Sequence, residues 1–400
     1  MFLAVGVSVR ALVESIAASG YEVKGVDFFG DIDANWQGRT IGVAGDCGLK
    51  PSIRNVFTTA GGISCDGLVY ASGVENSPQE LQSWEAKGLL YGNGPSVLRE
   101  VREIGKLQAS LEQIQMKMPE SHPLAQWQQL DHQKRWLLKP VNRGGGHGIT
   151  EIPAGEAEAE NLLRTIPRDG SYIIQEYWDG IPASATFIAD GGEAVLLGTS
   201  RQLVGSQKAG SPFSYEGNIV PLALPSFKKQ ASLEEELRIM SGHLTREFGL
   251  KGLNTIDFML NAKGIRILEL NPRWSASVEL IESHLGYRLF TSHLAACRGK
   301  LELPPTRRPS PCSGYWGKKI IYAKATFTTR AEDGQAYRAL YNLGVRDIPR
   351  PGTLIAKGQP LCTVLAGGSS SSNCYQNLRQ QEEKIRQYYL TELSQYNDRG

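Results

Sequence analysis

The chain has 400 residues, too many for one ordinary hydrophobic core, and at about 150 residues per domain it divides into two or three units. Its 43 Lys and Arg balance 41 Asp and Glu, and a net charge of +2 leaves no electrostatic footprint for nucleic acid or an anionic membrane. The 44 glycines mark a globular chain with many special backbone positions. Six cysteines (Cys47, Cys65, Cys297, Cys312, Cys362, Cys374) include no C-x-x-C pair, so spacing points to neither a zinc knuckle nor a redox dithiol. Reduced thiols in a cytoplasmic protein are expected. The apolar start at Phe2 is too short for a signal peptide, and no run reaches the length of a membrane span.

Phe2-Leu3-Ala4-Val5-Gly6 reads as a buried strand, Arg10 to Ser19 as an amphipathic helix ended by Gly20, and Tyr21 to Asp27 as a second strand. The alternation continues through Gly67 to Ala71 and Leu89 to Gly92, so residues 1–94 are expected to form a small open α/β domain. The turn Gly6-Val7-Ser8-Val9-Arg10 is not G-x-G-x-x-G, and no Walker A occurs, which disfavours ordinary dinucleotide binding and P-loop chemistry. Asp27 then reads as a loop or capping residue rather than a ribose ligand. From Pro95 the apolar spacing turns helical (Leu98, Val101, Ile104, Leu107, Leu111, Ile114), with Gly105 breaking the segment in two. A capping box at Ser232 is expected to open a helix with the stripe Leu233, Leu237, Met240, Leu244 and Phe248. Residues 95–303 make one α+β unit. Pro304, Pro305, Pro309 and Pro311 mark an extended linker, and 304–400 a small β-rich domain with a terminal helix around Leu378 to Leu393.

The segment Trp136 to Ile149 sets Lys139 near the end of an apolar strand and follows it with Gly144, Gly145, Gly146, His147 and Gly148. Such a loop frees backbone N–H groups to wrap phosphate oxygens, with Lys139 adding a point charge; a Gly-rich surface hairpin is equally compatible. A second signal is one of register. If Ala262-Lys263-Gly264 is a three-residue loop, Asn261 pairs with Ile265 and Asp257 faces Glu269. Like charges opposed on adjacent strands repel, and a divalent cation between them converts repulsion into coordination. Asn271 supplies a third oxygen, a set that suits Mg²⁺ held jointly with nucleotide phosphates. A one-residue slip would put the two carboxylates on opposite faces.

In this order, Lys139 with its glycine loop, Ile173-Ile174-Gln175-Glu176-Tyr177-Trp178, the Asp257/Glu269 hairpin and Asn271-Pro272-Arg273 resemble the ATP-grasp superfamily of ATP-dependent ligases. The likeness covers most of residues 95–300, and the α/β domain before it is similar to the one that precedes ATP-grasp modules. Through residues 202–217 and Asp347-Ile348-Pro349-Arg350-Pro351-Gly352, the chain most resembles a biotin-carboxylase-related group of predicted ATP-dependent carboligases. That group is found with tetrahydromethanopterin-linked one-carbon genes. The resemblance implies that Lys106 and Lys139 touch the phosphates of ATP, that Gly144 to Gly148 form the lid, and that Glu176, Tyr177 and Trp178 form the hinge beside adenine. It implies Mg²⁺ or Mn²⁺ on Asp257, Glu269 and Asn271, Arg273 on the transferring phosphoryl group, and Arg201 toward the substrate anion. A surface lysine at 106, an exposed strand-end arginine at 201, core packing of Trp178 and plain solvation of His147 remain equally compatible.

One departure separates the chain from biotin carboxylases, which carry a lysine after the glutamine of a His-Gln-Lys segment to help hold bicarbonate. Here the counterpart reads Ser200-Arg201-Gln202-Leu203. The expectation is therefore a carboxylate–amine ligase that forms an acyl phosphate, acting on small molecules without nucleic acid or membrane. A homodimer and a role in one-carbon cofactor biosynthesis are compatible with the resemblance. The alternatives are a phosphotransferase, a biotin-carboxylase-like carboxylation, and a non-catalytic ATP-binding accessory subunit.

Overall fold

A computed structural model describes residues 1–205, 212–304, 314–330 and 334–397. Four short apolar runs, β1 (Phe2–Val5), β2 (Val23–Asp27), β3 (Thr40–Gly42) and β4 (Gly67–Tyr70), form a sheet in the order β3-β2-β1-β4, in which all three pairings are parallel. β1 and β4 are buried at every position, as befits strands covered on both faces. The helix Arg10–Ala18 crosses between β1 and β2, and Val9, Leu12, Val13 and Ile16 bury its apolar face. Asp27 accepts the Val9 N–H at 3.1 Å and those of Phe29 and Gly30, a capping role. Leu89 to Gly92 forms only an isolated bridge, Leu68 to Leu90, rather than a fifth strand.

The helical stretch after Pro95 is two helices, Pro95–Arg102 and Ile104–Glu112, but they part at Glu103, whose backbone is extended, and not at Gly105. A second sheet takes the order β5-β8-β6-β7, from Ser121–Pro123 (β5), Trp136–Pro140 (β6), Thr150–Glu151 (β7) and Tyr172–Glu176 (β8). The largest sheet has eight strands. Its first five members in the chain are β9 (Ile181–Asp190), β10 (Ala194–Val204), β11 (Tyr215–Val220), β12 (Lys251–Asn261) and β13 (Gly264–Asn271).

The C-terminal strands continue this sheet. β14 (Tyr315–Tyr322) pairs with β11, and beyond β15 (Phe327–Thr328), β16 (Val345–Arg346) and β17 (Leu354–Ile355), the last strand β18 (Pro360–Gly368) pairs with β14. The order is β13-β12-β9-β10-β11-β14-β18-β16, so a boundary at 303/304 runs between strands of one sheet. The proline linker lies, from Pro305 to Pro311, outside the described residues, as do Cys312 and part of the 202–217 segment.

One face of the large sheet packs on the helix Gln230–Phe248, whose stripe Leu233, Leu237, Met240, Leu244 and Phe248 is buried against Ala183, Ala185, Phe187, Ile256 and Phe258. Ser232 lies inside this helix and donates to Glu236 at 3.2 Å, so it is not the cap; the helix starts two residues earlier and ends at Gly249 in the left-handed region. The terminal helix spans Ser371–Asn397. Among the described residues no helix is long and apolar enough to cross a membrane.

Candidate functional site

The other face of the large sheet is apolar at Ile188 and Leu253, which pack in one core with Val278, Ile281 and Phe290, and polar toward the β12–β13 hairpin. Asp257 faces Glu269 across β12 and β13, and Thr255 faces Asn271. The route to that facing is not the three-residue loop. Asn261 pairs with Gly264 around a two-residue turn, a slip of one residue, and the pairing shifts back between Phe258↔Ile267 and Asp257↔Glu269. Leu268 is the extra residue of a β-bulge, which restores the facing that the shorter turn alone would have lost.

Asn271 holds the pair together: its Nδ2 donates to Asp257 Oδ2 at 3.0 Å and to Glu269 Oε1 at 3.2 Å, while Gln202 donates to Asp257 Oδ1 at 2.8 Å. Lys139, at the end of β6 in the smaller sheet, brings its ammonium to 3.9 Å from Glu269 Oε2. Arg273 donates to Asn271 Oδ1 at 3.0 Å and to Glu75 Oε1 at 2.9 Å, tying the first α/β region to the pair. Burial and then the Glu269 charge hold Asp257 well above the usual carboxylate range. Burial pushes Glu269 the same way, but Lys139, Arg102, the Asn271 amide and Arg273 outweigh it and leave this carboxylate below its ordinary value. Two carboxylates and a carboxamide, one acid charged and the other resisting charge, are a hard oxygen set that fits a divalent cation.

The glycine loop joins β6 to β7. Gly145, Gly146 and Gly148 have φ of 66°, 72° and 80°, and the Tyr215 N–H donates to the Gly145 carbonyl at 2.9 Å, tying the loop to the start of β11. A side chain at Gly146 would overlap the Phe213 carbonyl. His147 is exposed in this loop. At the end of β8, Glu176 lies 3.6 Å from Lys134, the Arg135 guanidinium covers the Tyr177 ring at 3.8 Å, and that of Arg266 covers Trp178 at 4.2 Å.

Two expected residues are not brought to the carboxylates. Lys106 is half exposed and pairs with Glu103 at 3.5 Å on its own helix. Arg201 is exposed, and its pairing with Ala183, a core residue under the helix Gln230–Phe248, puts it on the opposite face from Gln202. Sequence reasoning missed Arg102, which donates to Asn76 and to the Val141 carbonyl beside the loop and acts on Glu269. It also missed Glu75. Both come to the site by tertiary packing, and no local pattern announces either.

Residues 105–277 match the ATP-grasp domain. The chain is 25% identical over 379 residues to an uncharacterised protein of Methanocaldococcus jannaschii, covering 91% of this chain and 87% of that one. A similar solved structure is the biotin carboxylase domain dimer of Hydrogenobacter thermophilus 2-oxoglutarate carboxylase, in complex with MgADP, ADP and bicarbonate. Its TM-score is 0.67 at 14% identity, over 92% of this chain and 86% of that one. Another is the L-amino acid ligase of Bacillus licheniformis, with a TM-score of 0.67 at 18% identity over 96% and 97% of the two chains. The glycine loop, the polar part of the sheet face and the bulged hairpin thus lie within the segment that matches the ATP-grasp domain, in a chain whose fold is similar to that of the biotin carboxylase domain.

Proposed function

We propose that the protein is an ATP-dependent carboxylate–amine ligase. The observation that carries this reading is the convergence of Asp257, Glu269 and Asn271 with Lys139, the residue that leads into the glycine loop. Asp257, Glu269 and Asn271 would hold Mg²⁺ or Mn²⁺, the amide of Asn271 turning its oxygen to the metal in place of the N–H groups that now bridge the acids. The ion, when bound, neutralises phosphate charge.

Lys139 and the amides of Gly144 to Gly148 grip the phosphates, His147 sits at the rim of this grip, and Glu176, Tyr177 and Trp178 flank the base. A substrate carboxylate oxygen attacks the γ-phosphorus of ATP, the bond to the bridging oxygen breaks, and ADP leaves. The amine nitrogen then attacks the acyl carbon, phosphate departs with its oxygen, and the nitrogen loses a proton. Arg273, held by Glu75 and Asn271, stabilises the phosphoryl charge in both steps. Catalysis is positioning and charge neutralisation, so no nucleophilic side chain is required.

The fold is also that of biotin carboxylase, but Leu203 faces the core formed by the C-terminal strands and offers no cation for bicarbonate, which favours the amine-joining reading. A place in one-carbon cofactor biosynthesis rests on the sequence resemblance alone. Lys139→Ala and Glu269→Ala are expected to abolish carboxylate- and amine-dependent ADP release with the circular dichroism spectrum unchanged. Full activity in either variant refutes these roles. Hydroxylamine should trap a hydroxamate in the wild type, and turnover without one would indicate a phosphotransferase.

A further inference from the structure

The junction of the N-terminal sheet, the helix Val278–Leu285 and the C-terminal strands gathers more acidic than basic side chains. Arg10, 2% exposed, donates to Glu279 at 2.8 and 3.2 Å, to Asp347 at 3.0 Å and to Glu14 at 3.1 Å; Lys318 pairs with Glu279. Around these two cations stand Glu14, Asp27, Asp31, Asp33, Glu279 and Asp347. Asp27 is satisfied by three backbone N–H groups, and Asp33 by those of Asp347 and Ile348, both at 2.9 Å.

Asp31 differs. It is 6% exposed, no hydrogen bond or ion pair among the described residues reaches its carboxylate, and the charges acting on it are those of Asp347, Asp27, Asp33 and Arg10. Burial, and then the charges of Asp347, Asp27 and Asp33, hold Asp31 well above the usual carboxylate range, so this acid gives up its proton only where a cation meets it.

Its place in the fold suits a ligand. Asp31 follows β2 at the C-terminal edge of a parallel sheet, where open α/β folds take their ligands. The junction also shares a sheet face with the carboxylate pair: Gln202, bonded to Asp257, pairs with Asn218, which pairs with Lys318, bonded to Glu279. At roughly 4.8 Å per strand, Gln202 and Lys318 are about 10 Å apart. That is too far for one reacting nitrogen to serve both groups, but within reach of one extended substrate.

We infer that Asp31, with Asp347 beside it, binds a protonated amine or guanidinium carried by the substrate at the end remote from its reacting group. This rests on the ligase reading for what the substrate does, and on the junction alone for its charge. Titration calorimetry on the full-length protein with agmatine, L-lysine and spermidine, and with pentanamide as the uncharged control, tests it. At least one cation should bind the wild type and pentanamide should not. Asp31→Asn should weaken that binding at least tenfold while leaving the affinity for a non-hydrolysable MgATP analogue unchanged. Asp31→Asn replaces an acid that resists charge with a neutral group of the same shape, so its melting temperature should match that of the wild type. Binding of none of the three cations, or equal binding to wild type and variant, overturns the inference. Cation binding without binding of the ATP analogue would instead retire the ligase reading and leave the subsite standing.

Discussion

Replacing Arg10 with methionine keeps an unbranched apolar stem and deletes the charge on which the three-way junction is built. Burial by itself would lower the Arg10 pKa, yet Asp347, Glu279 and Glu14 hold it well above its ordinary value. Glu279 is the mirror case: burial pushes it up, and Arg10 with Lys318 more than reverses that, leaving it far below the carboxylate range. In Arg10→Met, Glu279 keeps Lys318, but Asp347 loses its cationic partner at 3.0 Å and Glu14 its own at 3.1 Å. One-sided removal from a buried ion network costs about 3–5 kcal/mol. At about 1.4 kcal/mol per tenfold, opening of the junction should become on the order of 10²- to 10³-fold more frequent. Amide hydrogen exchange reads this directly in peptides covering 278–285 and 345–348, with 230–248 as an internal reference that should not change. Arg10→Met with Asp347→Asn should recover part of the protection, because one stranded carboxylate is gone. A depressed folded pKa contributes stability above the unfolded value of 4.5 and loses it as pH falls through the folded value, so the Glu279 contribution should persist below pH 4.5 in the wild type. Wild-type exchange in Arg10→Met would refute the reasoning.

His293 is buried and accepts the Leu253 N–H at 3.0 Å, and burial pushes its pKa from 6.5 to about 4. The neutral ring therefore contributes stability that is complete above pH 6.5 and lost as pH falls toward 4, roughly 3 kcal/mol in all; the urea midpoint of the wild type should drop relative to His293→Gln across that window, and a constant difference would contradict it. Gly146→Ala places a side chain against the Phe213 carbonyl at a φ of 72°, and should weaken binding of an ATP analogue at least tenfold with little change in melting temperature; unchanged affinity would take the loop out of the nucleotide site.

What could be read from the sequence was whatever a single element encodes in its own spacing. The stripe of the helix Gln230–Phe248 is buried as its spacing predicts, because three- and four-residue steps are a property of one helix. The sharing of one sheet by β11 and β14 is of another kind, since their pairing joins residues about a hundred positions apart and neither strand carries a mark of its partner. Arg102, Glu75 and Arg10 reach their partners across such joins, which is why no motif announces them.

The hairpin is the instructive case, because its conclusion survived a wrong premise. A two-residue turn shifts every pair by one, and strict alternation along β13 would then have put Ile265 and Ile267 on one face with Glu269 and Asn271. Three apolar side chains, Ile265, Ile267 and Leu270, are buried in the core under the helix Gln230–Phe248, and Glu269 and Asn271 lie on the other face. Both cannot hold in an unbroken two-residue period: somewhere between Ile267 and Leu270 one residue must go uncounted. The conflict between apolar and acidic positions in Ile267-Leu268-Glu269-Leu270 is therefore itself the sequence signature of the bulge at Leu268. The bulge lets one strand bury its apolar side chains and still set Glu269 and Asn271 on the face that Lys139 reaches.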